Sequence, residues 1–424
     1  MTRFHGLIGI ALILGLAFLL SNNRKAINLR VVLSGLALQL ALALFILKTS
    51  VGQSIFSFIA RIITKVLDFA MNGADFVFGL LVDKETLDKV VGPAHSFIFM
   101  FKIMPTIIFV AVLVSIAYHI GLMQRIVSIF AKGMKAIMNV SGSEALSNVS
   151  SAFVGQVEAQ ILIKPYINTM TMSELLASMA GSMACIAGGV MAVYISMGVP
   201  AEYLLAASIM AAPAALVISK IVIPETQESE TKGTVKLEVK KTHSNLMDAI
   251  SHGAGDGLKV SLNVIAMLIG VIALIAMIDY LLGKFGMFLF NHTNYDAILG
   301  MSFQHLSLKE ILGSLFSVFA WAMGVPSQDT HVVGQLLGTK LAVNEFVAYL
   351  DLSAVKSTLD PKSLLIVSFA CCGFANFSSI AIQVGGIGEL APMRRADLAK
   401  LGFKALICGT LASYLSATVA GMLM

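Results

Sequence analysis

The chain has 424 residues, of which 57% are hydrophobic and 12% charged, with a mean hydropathy of +0.87 and a formal net charge of +5. A soluble domain carries roughly a quarter of its residues as Asp, Glu, Lys and Arg, so this composition excludes a soluble enzyme or binding domain and indicates a polytopic membrane protein. The positive charge lies in connecting segments and forms no basic domain, which argues against nucleic acid as a partner and leaves the lipid bilayer.

In chain order, apolar runs long enough for a helix of about 20 residues to cross a bilayer occur at 7–21, 31–48, 97–120, 174–198, 202–223, 258–282, 363–388 and 401–423. They predict an all-α fold with eight transmembrane helices. LIGIALILGLAFLL (7–20) is followed by SNNRKAINLR with no small-residue cleavage site, so it reads as the first span. SIFSFIARIITKVLDFAM (54–71) sets Arg61 and Lys65 among apolar residues at helical spacing and predicts an interfacial helix. Two stretches, 141–168 and 307–350, are interrupted at mid-length by Gly, Pro and polar residues. They predict re-entrant hairpins, allowed at membrane depth only where protein or water covers the backbone. GVPSQD (324–329) is read as the turn of the second.

The spans SMAGSMACIAGGVMAVYISMGVP (178–200) and SFACCGFANFSSIAIQVGGIGELAP (368–392) are broken by glycine and small polar residues, and each follows a hairpin and precedes a full span. The halves therefore predict an inverted repeat with discontinuous helices and oppositely oriented hairpins, the architecture of secondary transporters. Arg24, Lys25, Arg30, Arg125, Lys132, Lys135, Lys232, Lys236, Lys240, Lys241, Arg394 and Arg395 fall in alternate loops, which predicts both termini outside. The expected organisation is a scaffold over 1–140 (spans 1–3 and the interfacial helix), a first transport repeat over 141–223, a cytoplasmic linker over 224–245, scaffold span 6 over 246–306 and a second transport repeat over 307–424. Cys185, Cys371, Cys372 and Cys408 sit in apolar segments without metal-ligand spacing and read as packed thiols.

Four polar clusters interrupt the apolar background: Gln156 with Glu158; Ser327, Gln328 and Asp329; Asn344 with Glu345; and Asn376, Ser378 and Ser379. A lone Ser or Asn commonly does no more than bridge membrane helices. A carboxylate at the helix centre costs about 2.5–3.5 kcal/mol, so two glutamates at that depth point to a site for a small, neutral, hydrogen-bonding solute. Phe374 and Phe346, beside two of the clusters, offer rings for a flat heterocycle. No HExxH, GxSxG or GxxxxGK[ST] occurs, and GQLLGTK (334–340) is one residue short of the phosphate-loop spacing. The chain is therefore read as no enzyme, and transport without an ATP site needs an ion gradient.

VGQVEAQILIKP (154–165), GVPSQDT (324–330), KLAVNEFVAYLDL (340–352) and CGFANFSSIAI (372–382), in this order and spacing, resemble the concentrative nucleoside transporter family, in particular its bacterial eight-span members, over nearly the whole chain. The resemblance implies a homotrimer in the bacterial inner membrane that imports nucleosides by an elevator-type alternating-access mechanism, without a cofactor. It implies that Gly155, Gln156, Val157 and Glu158 surround the nucleobase, that Glu345 binds the ribose hydroxyls, that Asn376 and Ser379 lie on the ribose side, and that Phe374 lies beside the sugar. Gln156 pairs with purine or pyrimidine alike through its amide.

The resemblance also implies a coupling-ion position at Ser151, Val154, Cys185 and Ile186; if the ion is a proton, a buried carboxylate must titrate between the two faces, and Glu158 and Glu345 are the candidates. Sodium-coupled members carry Asn, Thr and Ser where Ser151, Val157 and Cys185 stand, and Pro where Gln160 stands. Sodium takes oxygen ligands, which a valine or a thiol does not offer. The expectation is H+ coupling, with Na+ the alternative through Ser151 and the carbonyls of Val154 and Ile186. A membrane-embedded enzyme and a passive channel are weaker alternatives, opposed by the lack of a nucleophile–base pair and by two hairpins that would plug a pore.

Overall fold

The computed structural model describes residues 2–91, 98–232, 244–292, 297–298, 301–302, 304 and 306–424. The helices are α1 (Thr2–Leu19), α2 (Leu29–Lys48), α3 (Ser50–Phe78), α4 (Lys84–Val91), α5 (Phe99–His119), α6 (Leu122–Met138), α7 (Gly142–Ser151), α8 (Glu158–Ile161), α9 (Met172–Ala184), α10 (Gly188–Ser196), α11 (Ala201–Val222) and α12 (Leu246–His292). A two-residue strand pair, β1 (Ala297–Ile298) with β2 (Met301–Ser302), precedes α13 (Leu308–Ala322), α14 (Thr330–Ala342), α15 (Glu345–Val355), α16 (Pro361–Cys371), α17 (Phe377–Leu390) and α18 (Arg395–Leu423).

Among the described residues, six helical segments are long and apolar enough to cross a membrane: Leu29–Lys48, Met100–His119, Met172–Ser196, Ala201–Val222, Leu246–His292 and Pro392–Leu423. His5–Leu19 and Pro361–Cys371 are shorter apolar helices. Burial ranks these segments. In α11, 89% of the apolar window is buried, against 11% in α12, so α11 is central and α12 peripheral. Around α11 and α18 pack α1, α2, α9 and α16, while α12 lies mainly along α5. The 47 residues of α12 make it roughly 70 Å long at helical rise, more than twice a hydrocarbon core of about 30 Å. It thus far exceeds the expected 258–282. Likewise α3 extends the expected 54–71 at both ends, with Arg61 and Lys65 exposed.

Side-chain contacts at a constant sequence separation mark segments that run parallel. Ser143 meets Glu174, Ser147 meets Ser178 and Ser151 meets Ser182, each 31 residues apart, so α7 runs parallel to α9. The second half repeats this spacing. Asp329 meets Asp360 and Glu345 meets Asn376 at a separation of 31, and Lys340 meets Ala370 at 30, which sets α14 parallel to α16. Beyond Glu345 the direction reverses: Tyr349 lies beside Ser368, further back along α16.

This relocates the second reversal. The reversal ahead of Glu345 falls at Val343–Asn344, between α14 and α15, while the GVPSQD turn reverses the chain between α13 and α14, which pack along each other. The turn ends α13 with Gly324 at a φ of +91° and places Ser327 and Gln328 in exposed positions. Asp329 Oδ2 accepts from the Asp360 amide at 2.9 Å. The cluster thus serves the α13–α14 connection, separated from Glu345 by the 13 residues of α14, about 20 Å of helix. The first hairpin also differs from expectation: its return arm contains only the four residues of α8 before an irregular path to α9.

Segment 224–245 is only partly a linker. Thr231 O accepts from the Gly142 amide at 2.9 Å, and Thr231 Oγ1 accepts from the Ser143 amide at 3.3 Å, so the strap satisfies two free donors at the start of α7. Glu225 Oε2 accepts from Thr171 Oγ1 at 2.8 Å, at the start of α9. Residues 233–243, with Lys236, Lys240 and Lys241, lie outside the described residues. The four cysteines are free and buried.

Candidate functional site

Four interruptions of helical structure converge. The first is the tip 152–157 between α7 and α8, where Gly155 leaves room for the Glu158 carboxylate that a Cβ there would strike. The second, Cys185–Ala187 between α9 and α10, is extended, and the Gly188 amide donates to Phe153 O at 3.2 Å, tying it to the first. The third lies between α16 and α17. There Gly373 has a φ of +153° and its α-carbon so faces Ala184 that a Cβ would come within 2.7 Å of that carbonyl oxygen. A side chain has no place at this position. The Phe374 amide donates to Cys185 O at 3.2 Å, so the two broken helices bond to each other through their breaks. The fourth is Val343–Asn344.

Asparagine caps two of the resulting half-helices. Asn344 Oδ1 accepts from the Val347 amide and Asn376 Oδ1 from the Ser379 amide, both at 2.9 Å, so α15 and α17 begin at the junction with their positive dipole ends there. Glu345, on the first turn of α15, is 5% exposed. Its Oε1 accepts from Tyr194 Oη at 3.1 Å and its Oε2 from Asn376 Nδ2 at 3.0 Å. An ionised carboxylate has about four acceptor positions, so capacity remains beyond these two side-chain donors and the Glu345 amide, which also bonds to it.

Further along the same face of α17, Gln156 Nε2 donates to Ser379 Oγ, and Gln383 Nε2 donates to Gln156 Oε1, both at 3.4 Å. These bonds are longer than the usual 2.7–3.2 Å range, and Gln156 is therefore held loosely enough to exchange them for another partner. Gln383 also donates to Met179 O at 3.2 Å.

Gln156, Glu345, Asn376 and Ser379 are thus brought together, with half-buried Phe374 bonded at the break. Val157 packs towards Gly386 of α17. Glu158, expected to be buried, is exposed, so the cost argument that paired it with Glu345 applies to Glu345 alone. Phe346 is 3% exposed and meets the Tyr194 ring edge-on at 6.0 Å, which makes it core and no ring for a ligand. Ser151 Oγ donates to Ser147 O at 2.8 Å, Cys185 Sγ to Ser208 O at 3.5 Å, and Val154 and Ile186 are buried. Sequence reasoning missed Gln383, Tyr194 and Lys340. The first has a readable signal, since Asn376, Ser379 and Gln383 recur at i, i+3 and i+7 on one helix face. Tyr194 arrives from α10 by tertiary packing alone. Lys340, fully buried, donates to Ala370 O at 3.2 Å, at the end of α16.

A family model described as "Na+ dependent nucleoside transporter C-terminus" matches residues 203–421, one described as "Na+ dependent nucleoside transporter N-terminus" matches 8–81, and one described as "Nucleoside recognition" matches 100–201. An "Uncharacterized transporter" of Haemophilus influenzae is 40% identical, covering 100% of this chain and 98% of the relative. The "Nucleoside permease NupC" of Helicobacter pylori is 35% identical, covering 99% and 98%. The solved structure of CNTnw in an inward-facing substrate-bound state matches with a TM-score of 0.92 at 38% identity, covering 100% of this chain and 98% of that one. These relatives are transporters and permeases, not enzymes.

Proposed function

The chain belongs to the Na+ dependent nucleoside transporter family, and from that premise we propose that it is a secondary active importer of nucleosides driven by the proton gradient. The observation that carries the substrate reading is Glu345, a buried carboxylate with acceptor capacity left beside Asn376. Neighbouring sugar hydroxyls are the donors such a carboxylate takes, while Gln156, loosely bonded at 3.4 Å, reads the base. Gly155, Val157 and Glu158 complete the base side, and Phe374 and Ser379 the sugar side.

In this reading α7–α8 and α14–α15 are re-entrant hairpins of opposite orientation, supported by the recurring separation of 31 residues. Eight spans cross the bacterial inner membrane, counting His5–Leu19 and the broken helix that starts at Pro361, and both termini face outward. The hairpins move as an elevator unit with α9–α11 and α16–α18, and the packing of α1 and α2 on α18 and α11 supports adding them to that unit. The scaffold keeps α3, α5 and α12, and the largely uncovered α12 faces lipid and the other copies of a homotrimer.

Proton coupling rests on poor sodium ligands: Cys185 offers a thiol and the Val157 side chain no oxygen, which leaves Ser151 as the one side-chain oxygen of the three. The sodium reading is supported by the description of the family and by relatives named as sodium/nucleoside cotransporters, that of Rattus norvegicus being 37% identical over 98% of this chain. Uptake of uridine and adenosine into proteoliposomes separates the two. An inside-alkaline pH gradient is expected to drive accumulation with no sodium present; accumulation that needs a sodium gradient and ignores the pH gradient contradicts the proposal.

A further inference from the structure

Behind the first tip lies a second polar cluster, built on a residue with no role so far. Gln160 of α8 is 1% exposed. Its Nε2 donates to Ser182 Oγ at 2.6 Å and to Ser147 Oγ at 3.0 Å, and its Oε1 accepts from Ser178 Oγ at 2.5 Å. The oxygens of Ser147 and Ser178 are 2.6 Å apart, and those of Ser151 and Ser182 are 2.9 Å apart.

One arrangement of protons satisfies each of these contacts, and leaves only the 3.4 Å approach of Ser147 Oγ to Gln160 Oε1 without a proton. Ser151 gives its proton to Ser147 O, so Ser182 donates to Ser151. Ser178 gives its proton to Gln160 Oε1, so Ser147 donates to Ser178. The two amide protons of Gln160 then go to Ser182 and Ser147, which accept them. The network is closed and buried, a condition under which polar groups fix one arrangement of the core. It joins α7 (Ser147, Ser151), α9 (Ser178, Ser182) and α8 through side chains.

A four-residue helix has too few internal bonds to hold its own place. Gln156, at the tip, lies one turn before Gln160. The geometry points to Gln160 as the positioning residue that tethers α8 and the tip 152–157, and so aims Gln156, through a hydroxyl–amide network that needs no bound cation. Ser151 Oγ both donates and accepts within it, which leaves that oxygen one lone pair. The inference rests on the reading of Gln156 as the contact to the base.

The test uses the purified full-length protein and the variants Gln160→Leu, Gln160→Glu and Ser178→Ala. Hydrogen exchange over 152–161 reads the tether without any nucleoside, and equilibrium binding of uridine and adenosine, in sodium chloride and in choline chloride, reads its effect on the site. Gln160→Leu is expected to speed exchange over 152–161, to leave α11 and α18 as in the wild type, and to weaken nucleoside binding about tenfold, because two buried hydroxyls lose their donors. Ser178→Ala acts in the same direction by less. Gln160→Glu retains one proton to donate at acidic pH and binds near wild-type strength there; as pH rises the carboxylate has none, and binding weakens beyond any change in the wild type. A side chain that only fills space shows no such pH split.

Unchanged exchange in Gln160→Leu overturns the tether. Faster exchange with unchanged nucleoside binding overturns the positioning role, and wild-type binding that tightens strongly with sodium overturns the cation-free part. If the wild type binds no nucleoside while Gln160→Leu still loosens the tip, the tether stands and the reading of Gln156 falls.

Discussion

Replacing Glu345 by glutamine is expected to weaken binding of ribonucleosides by about one to two orders of magnitude, the worth of hydrogen bonds to a charged acceptor. The carboxylate is 5% exposed and already accepts from Tyr194 and Asn376, and the proposed reading gives its remaining acceptor capacity to the ribose. The amide retains the shape but replaces one acceptor oxygen by a donor, which sets N–H against either a sugar hydroxyl or Asn376 Nδ2. Discrimination should change along with affinity. A site built to receive two hydroxyls leaves a buried acceptor unpaired when one is missing, so the wild type rejects a deoxynucleoside and Glu345→Gln largely loses that preference. Competition binding with uridine and 2′-deoxyuridine, on wild type and variant, measures both; equal affinities for wild type and variant would remove the ribose role from Glu345.

The second large effect is on folding. Lys220, buried on α11, pairs with Glu144 Oε2 at 2.7 Å and Glu225 Oε2 at 3.2 Å, and donates to Ser173 Oγ at 2.9 Å. Glu144 is fixed at the start of α7, where its Oε1 accepts from the Ser141 amide at 2.7 Å as part of a capping box. Lys220→Met strands Glu144, whose side chain is 3% exposed, as an uncompensated charge. Loss of one partner of a buried pair costs about 3–5 kcal/mol. Lys220→Met is therefore expected to lower the thermal unfolding midpoint and the yield of purified protein sharply. Adding Glu144→Gln, which still accepts the Ser141 amide without a charge, should recover much of the loss. A midpoint for Lys220→Met equal to that of the wild type would show that the pair contributes nothing to stability.

What was legible in the sequence was whatever shows as polarity against an apolar background. Gln156, Glu345, Asn376 and Ser379 stand out in their segments, and the structure gathers them at the breaks. The GVPSQD turn misled because Gly, Pro and Asp are the strongest local punctuation, yet they mark the α13–α14 connection and not the reversal at the site. That reversal, Val343–Asn344, contains neither Gly nor Pro; its only signal is the cap asparagine ahead of Glu345. Glu158 could not be distinguished from Glu345 by type, since exposure follows from the way the tip folds over Gly155. Gln160 was legible as a departure from the family pattern, but its partners lie 13, 18 and 22 residues away on two other helices. No local periodicity carries that information.

The claim that the four breaks form one nucleoside site, with base and sugar at opposite ends, meets its most direct test in a structure of the protein with uridine bound. The account predicts the uracil edge on Gln156 and the two ribose hydroxyls on the Glu345 carboxylate beside Asn376. Uridine bound away from these breaks, or reversed with its sugar against Gln156, would contradict it.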